Sequence, residues 1–146
     1  VLLLDWQMPE IDGLEMLRRA EADPAIRLPS VVLMVTVYAR GDAERGSQGL
    51  RLDAILTKPA TPSSLFDAVS RAFGIAAKEN GPLTPSLIGR LSGLRVLLVE
   101  DNEINQQVAR DILERAGASV EVVGDGRMAG WQCRCWKRPR PVSTWW

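Results

Sequence analysis

Apolar residues along this chain fall into two kinds of spacing. Unbroken runs at Val1–Leu4 (VLLL), Val31–Val35 (VVLMV) and Leu94–Val99 (LRVLLV) have the pattern of strands buried on both faces. Ala54–Leu56 is a shorter run, stopped by Pro59, and Ser119–Val123 (SVEVV) alternates as a strand does. Helical spacing lies between these runs. Gly13–Ala22 carries Leu14 and Leu17 among charges. Ser63–Phe73 places Leu65, Phe66, Val69 and Phe73 on one face, with Ser63 or Ser64 as its cap. Glu103–Ala116 aligns Ile104, Val108 and Ile112 and is stopped by Gly117. Ala39–Leu50 predicts only a weak helix, because Gly41, Gly46 and Gly49 each cost about 1 kcal/mol of helix propensity. Gly74–Gly93 reads as a linker with a turn of helix at Pro85–Leu91. The resulting order, β-α-β-α-β-α, linker, β-α-β, predicts an α/β fold around a parallel sheet.

Composition narrows the chemistry. The chain has 146 residues, 18 basic and 18 acidic side chains and no histidine, so catalysis by imidazole is excluded and a transition-metal site is disfavoured. Zero net charge gives no electrostatic case for nucleic acid or a membrane surface, and no apolar run approaches the roughly 20 residues of a membrane span. The only cysteines, Cys133 and Cys135, stand too close together for an ordinary structural disulfide. A reducing, cytoplasmic setting is the expectation. Residues 127–146 differ from the rest: they hold five basic side chains, no acidic ones and four of the five tryptophans.

In an open parallel sheet, ligands bind beyond the carboxyl ends of the strands. Asp5, Thr36, Lys58 and the pair Glu100–Asp101 stand at such ends. Three carboxylates brought together repel one another, and a hard cation such as Mg²⁺ relieves this, with the Gln7 backbone carbonyl as a further ligand. Asp5 is then a nucleophile for a phosphoryl group, which Lys58 and the Thr36 hydroxyl can hold by charge and hydrogen bond. Taken singly, most of these residues have plainer readings. An acidic pair after a strand suits a helix N-terminus, Thr36 suits a strand end or cap, and Lys58 suits solvent. Asp5, set directly between a buried strand and Met-Pro, fits none of these.

The stretches "LLLDWQMPEIDG", "VVLMVT", "ILTKP" and "VLLVEDNEIN" together resemble receiver domains of response regulators and hybrid histidine kinases. The resemblance covers Val1–Phe73 and Leu94–Gly126. It implies a flavodoxin-like three-layer α/β/α fold with a five-stranded parallel sheet in the order 2-1-3-4-5, and a phosphoacceptor module of bacterial two-component phosphorelays. It casts Asp5 as phosphoacceptor, Glu100 and Asp101 as the metal-binding pair, Thr36 as the switch hydroxyl and Lys58 as the phosphate-contacting lysine. It further implies Mg²⁺ as cofactor, a cis Lys58–Pro59 bond and a histidine kinase or histidine phosphotransfer domain as partner. Ile55 stands where the family often has an aromatic switch residue, which puts signalling by a ring rotamer in doubt.

The order of the pieces departs from the family. A receiver begins with the acidic pair, whereas this chain reaches it last. Residues 1–73 read as the later part of a first receiver, 74–93 as a linker and 94–126 as the opening part of a second. Residues 127–146 read as an atypical tail, frameshifted or vector-derived. The two parts together hold all five strands, so the chain reads as a circularly permuted receiver from tandem receivers of a hybrid kinase. A linker of about 20 flexible residues spans about 25 Å, enough to join them. The alternative is exchange of the second part between two chains, giving a swapped homodimer. No contact of this piece with nucleic acid or membrane is expected, any anchor of a parent kinase lying elsewhere in its chain. Two rival functions remain from the sequence: a Mg²⁺-dependent phosphohydrolase with an aspartate nucleophile, and a folded fragment that does not signal. Gln7, where such hydrolases usually carry a second aspartate, argues against the first. The fragment itself is not expected to be an enzyme beyond gaining and losing its own phosphoryl group.

Overall fold

The computed structural model describes residues 1–74, 89 and 91–135, with nothing to be said of the side chains of 130, 131, 134 and 135. The expected turn at 85–91 and the tail beyond Cys135 therefore lie largely or wholly outside the described residues, as does the side chain of Trp131. Ten elements follow one another: β1 (Leu2–Asp5), α1 (Gly13–Ala22), β2 (Val31–Thr36), α2 (Arg40–Gly46), β3 (Ala54–Lys58), α3 (Pro62–Ala72), β4 (Arg95–Val99), α4 (Glu103–Arg115), β5 (Ser119–Val123) and α5 (Gly126–Cys135).

The five strands form one parallel sheet in the order β3-β2-β1-β4-β5. Renumbered in the order of a receiver, this is 2-1-3-4-5, the flavodoxin-like arrangement with its pieces permuted along the chain. β1 pairs with β2 on one side and with β4 on the other, where Leu3 stands opposite Leu98. A single chain supplies the whole sheet.

Period-two alternation sends the strand side chains to two cores. Leu3, Val32, Met34, Leu56, Val96 and Leu98 face α3 and α4, where Leu65, Val69, Ala109 and Leu113 meet them. Leu2, Leu4, Leu33, Val35, Leu97 and Val99 face the other way, toward Leu14, Leu17, Ala43, Ala129 and Cys133 of α1, α2 and α5. Both faces of β1 and β4 are therefore covered, which explains their continuous apolar runs. Burial of each such Leu or Val contributes about 1.5–3 kcal/mol. No helix among the described residues is long and apolar enough to cross a membrane.

Several expectations need correction. α3 is capped by Thr61, not by Ser63 or Ser64: the Thr61 hydroxyl accepts from the Ser64 N–H, the Thr61 N–H donates to the Ser64 Oγ, and Pro62 takes the first turn, where no N–H is needed. β3 continues past Leu56 to Lys58, because Thr57 and Lys58 still have Val35 and Thr36 to pair with. α2 is shorter than Ala39–Leu50 and ends at Gly46. Two of the three positions in the expected apolar line of α4 are turned outward, with Ile104 74% and Val108 49% exposed, whereas Ile112 is half-buried against the core. The buried line is Ala109, Leu113 and Ala116, whose smaller side chains let the helix lie close to the sheet. A helix, Gly126–Cys135, forms in the stretch read as an atypical tail, and it buries Ala129 and Cys133.

Candidate functional site

All five singled-out residues stand at the same edge, because every strand of a parallel sheet ends there. β1 delivers Asp5, β3 delivers Lys58 and the exit of β4 delivers Glu100 and Asp101. Asp5, Glu100 and Asp101 each offer a carboxylate oxygen, and the three oxygens lie within 4.8 Å of one another. Lys58 bridges two of them: its Nζ is 2.8 Å from Asp5 Oδ2 and 2.5 Å from Glu100 Oε2. Asp5 is 5% and Glu100 1% exposed, whereas Asp101 faces solvent. The Lys58–Pro59 peptide is cis.

Burial sets the electrostatics. It pushes the Asp5 carboxyl up from its ordinary 3.8 to about 6; the hydrogen bond and charge of Lys58 oppose this, the Glu100 charge adds to it and the Gln7 backbone N–H opposes it. Burial also works against the Lys58 ammonium, yet the hydrogen bonds and charges of Asp5 and Glu100 outweigh it and hold Lys58 above its ordinary value.

The loop after Asp5 is built tightly. Gly13 opens α1 directly over the Asp5 backbone, and a Cβ there would sit 2.3 Å from the Asp5 carbonyl oxygen. The Gly13 N–H donates to the Trp6 carbonyl and Asp12 caps the helix through the Glu15 N–H. Glu10 has a φ of 65° and is spanned by a 2.8 Å bond from the Ile11 N–H to the Pro9 carbonyl, a γ-turn of the strained kind. The start of α5 braces this loop from outside: Gly126 packs against the Ile11 carbonyl, and Arg127 lies 3.3 Å from Glu10.

Thr36 stands level with Lys58 in the strand register but is exposed on the rim, outside the hydrogen-bonded cluster. Gln7 is exposed beside Asp5. Two residues not singled out in the sequence touch the site. Asn105 Nδ2 donates to Glu100 Oε1 at 3.0 Å, and Gln106 Nε2 donates to the Glu100 carbonyl at 2.7 Å. The signal available was the Asn102 cap, which puts the next turn of α4 over the end of β4.

The donor set is all oxygen and crowded with negative charge, which fits a hard divalent cation such as Mg²⁺ and not a softer metal.

Parts of several known proteins are similar in sequence to this chain. Histidine kinase 3 of Arabidopsis thaliana is 26% identical over 132 residues, a match covering 86% of this chain and 12% of that protein. The response regulator PleD of Caulobacter vibrioides is 35% identical over 126 residues, 77% of this chain and 28% of its own length. The sensor protein TorS of Escherichia coli is 40% identical over 48 residues, 33% of this chain and 5% of its own. The chain thus spans less than a third of each of these relatives. No family model matches it, and no solved structure matches it. Over most of its length the chain is homologous to parts of histidine kinases and response regulators.

Proposed function

We propose that this chain acts as a phosphoacceptor receiver module in a two-component phosphorelay. The observation that carries the reading is one cluster: Asp5, Glu100 and Asp101 from two neighbouring strand ends, with the Lys58 ammonium between the two buried carboxylates. Asp5 is the nucleophile. A carboxylate oxygen attacks phosphorus in line, the new O–P bond forms as the P–N bond of a phosphohistidine breaks, and the imidazole nitrogen leaves with the electron pair. Asp5, Asp101 and Glu100, with the Gln7 carbonyl, would hold Mg²⁺, which when bound neutralises charge on the phosphoryl oxygens. Lys58 moves its ammonium from the carboxylates to the new phosphoryl group, and the Thr36 hydroxyl donates to a phosphoryl oxygen from the rim. The partner is a histidine kinase or a histidine phosphotransfer domain, in keeping with the kinases among the relatives.

The order of the pieces is that of the end of one receiver followed by the beginning of the next: residues 1–73, a linker at 74–93, then 94–126, with 127–146 as an atypical tail. A match to one kinase over 86% of the chain takes in both pieces in the order in which they stand here, which supports the tandem reading.

The test is chemical. Acetyl phosphate with Mg²⁺ should add one phosphoryl group, detected by intact mass, and hydroxylamine should remove it as it does acyl phosphates. Asp5→Asn should abolish labelling. Labelling that persists in Asp5→Asn, or repeated turnover of a phosphate ester, refutes the receiver reading.

A further inference from the structure

Two neighbours on the first turn of α4 reach back to the residue that follows β4. Gln106 takes the Glu100 backbone carbonyl, and Asn105 takes its side chain at Oε1. The Asn102 N–H also approaches Oε1, at 3.4 Å, while Oε2 accepts from Lys58. Glu100 is 1% exposed, so neither oxygen has solvent to turn to. Among the described residues the exposed Asp101 carboxylate has no comparable set of donors. The three acidic residues are therefore not equivalent: one is held by protein on every side and one is open.

A cation and Lys58 draw on the same two carboxylates, Asp5 and Glu100. The terminal torsion of a glutamate is broad, with little intrinsic preference for the plane of its carboxylate. Without the Asn105 donor, Oε1 would keep only the long 3.4 Å approach of the Asn102 N–H, and the Glu100 group could turn both oxygens to the ammonium, deepening the pair that a cation has to loosen. Asn105 supplies that donor from a neutral carboxamide, so it adds direction to the site without adding charge.

On the reading of this cluster as a cation site, we propose that Asn105 is a positioning residue: by fixing the plane of the Glu100 carboxylate it sets the cation affinity of the site in competition with Lys58. The residue touches neither the cation nor the phosphoryl group. Its influence runs through Glu100 alone, and it should matter only while Lys58 competes.

Calorimetric titration of the full chain with Mg²⁺ tests this on the parent, Asn105→Ala, Asn105→Gln, Lys58→Met and the Lys58→Met/Asn105→Ala double variant. Asn105→Ala should weaken Mg²⁺ binding about tenfold, as loss of a partner behind a metal ligand does. Asn105→Gln keeps a carboxamide and should stay within about threefold of the parent. In the Lys58→Met background the loss should shrink below about threefold, the non-additivity expected of residues acting on one group. Alanine is the better helix former at this exposed position, and far-UV circular dichroism checks that each variant is folded before titration. An undiminished loss in the Lys58→Met background, or no loss with Lys58 present, overturns the positioning role and leaves the cation site standing. If Asp101→Asn binds Mg²⁺ as well as the parent, or the parent does not bind it, the cation reading fails and this proposal with it.

Discussion

Replacing Asp5 with asparagine should make the metal-free protein more stable at neutral pH, although it removes one end of a buried ion pair. The Asp5 carboxyl is raised from 3.8 to about 6, so its protonated form suits the fold better than its charged form. Such a group contributes stability that is fully present below its unfolded value near 4 and is lost as pH rises through 6. At pH 8 the charge costs about 2 units at 1.36 kcal/mol each, or about 3 kcal/mol. Asparagine matches the neutral form in shape, and its amide oxygen can still accept from Lys58 while Glu100 keeps the ammonium paired. The gain should therefore be about 1–3 kcal/mol at pH 8, the lower end allowing for an imperfect amide contact. Urea unfolding in EDTA, followed by far-UV circular dichroism at pH 8, 6 and 4.5, measures it. The gap between variant and parent should close on acidification from pH 6 to 4.5. Adding Mg²⁺ at pH 8 should narrow it too, because the cation stabilises the parent's carboxylate by mass action. A parent more stable than Asp5→Asn at pH 8 without metal, or a gap unchanged at pH 4.5, would refute the reasoning.

Two further substitutions probe the surroundings. Gly13→Ala should cost about 1–3 kcal/mol in urea unfolding, because its Cβ would lie 2.3 Å from the Asp5 carbonyl oxygen and backbone has to shift; the same shift should reduce labelling of Asp5 by acetyl phosphate. Ser70→Ala should raise stability by about 1 kcal/mol, since the Ser70 Oγ is buried with no hydrogen-bond partner among the described residues and its removal relieves a desolvated hydroxyl; a lower denaturation midpoint would contradict this.

The strands and the convergence of Asp5, Lys58, Glu100 and Asp101 were legible in the sequence for one reason. Parallel strands with continuous apolar runs all end on the same edge, so the polar residue closing each run had to meet the others. What the pattern could not decide was rotation. On α4, the lines 104–108–112 and 109–113–116 lie side by side, and spacing alone favoured the one with the larger apolar residues. The sheet took the other, whose alanines permit close approach and whose turn brings Asn105 and Gln106 to Glu100. The cap of α3 was missed differently: Ser63 and Ser64 are better caps by type, but Pro62 fixes the first helical position and so assigns the cap to Thr61. α2 stops at Gly46 although apolar Leu50 lies beyond, a case where glycine outweighs pattern.

Pairing Leu3 with Leu98 has a consequence in time. The two partners stand 95 residues apart, and contacts so distant in sequence close late in folding, because the chain between them has to be ordered first. Until β4 docks, β1 has an open hydrogen-bonding edge flanked by leucines, the kind of edge that recruits foreign strands. Asp5 and Lys58 meanwhile lack Glu100 and Asp101. One docking step therefore closes the sticky edge and completes the acidic cluster together.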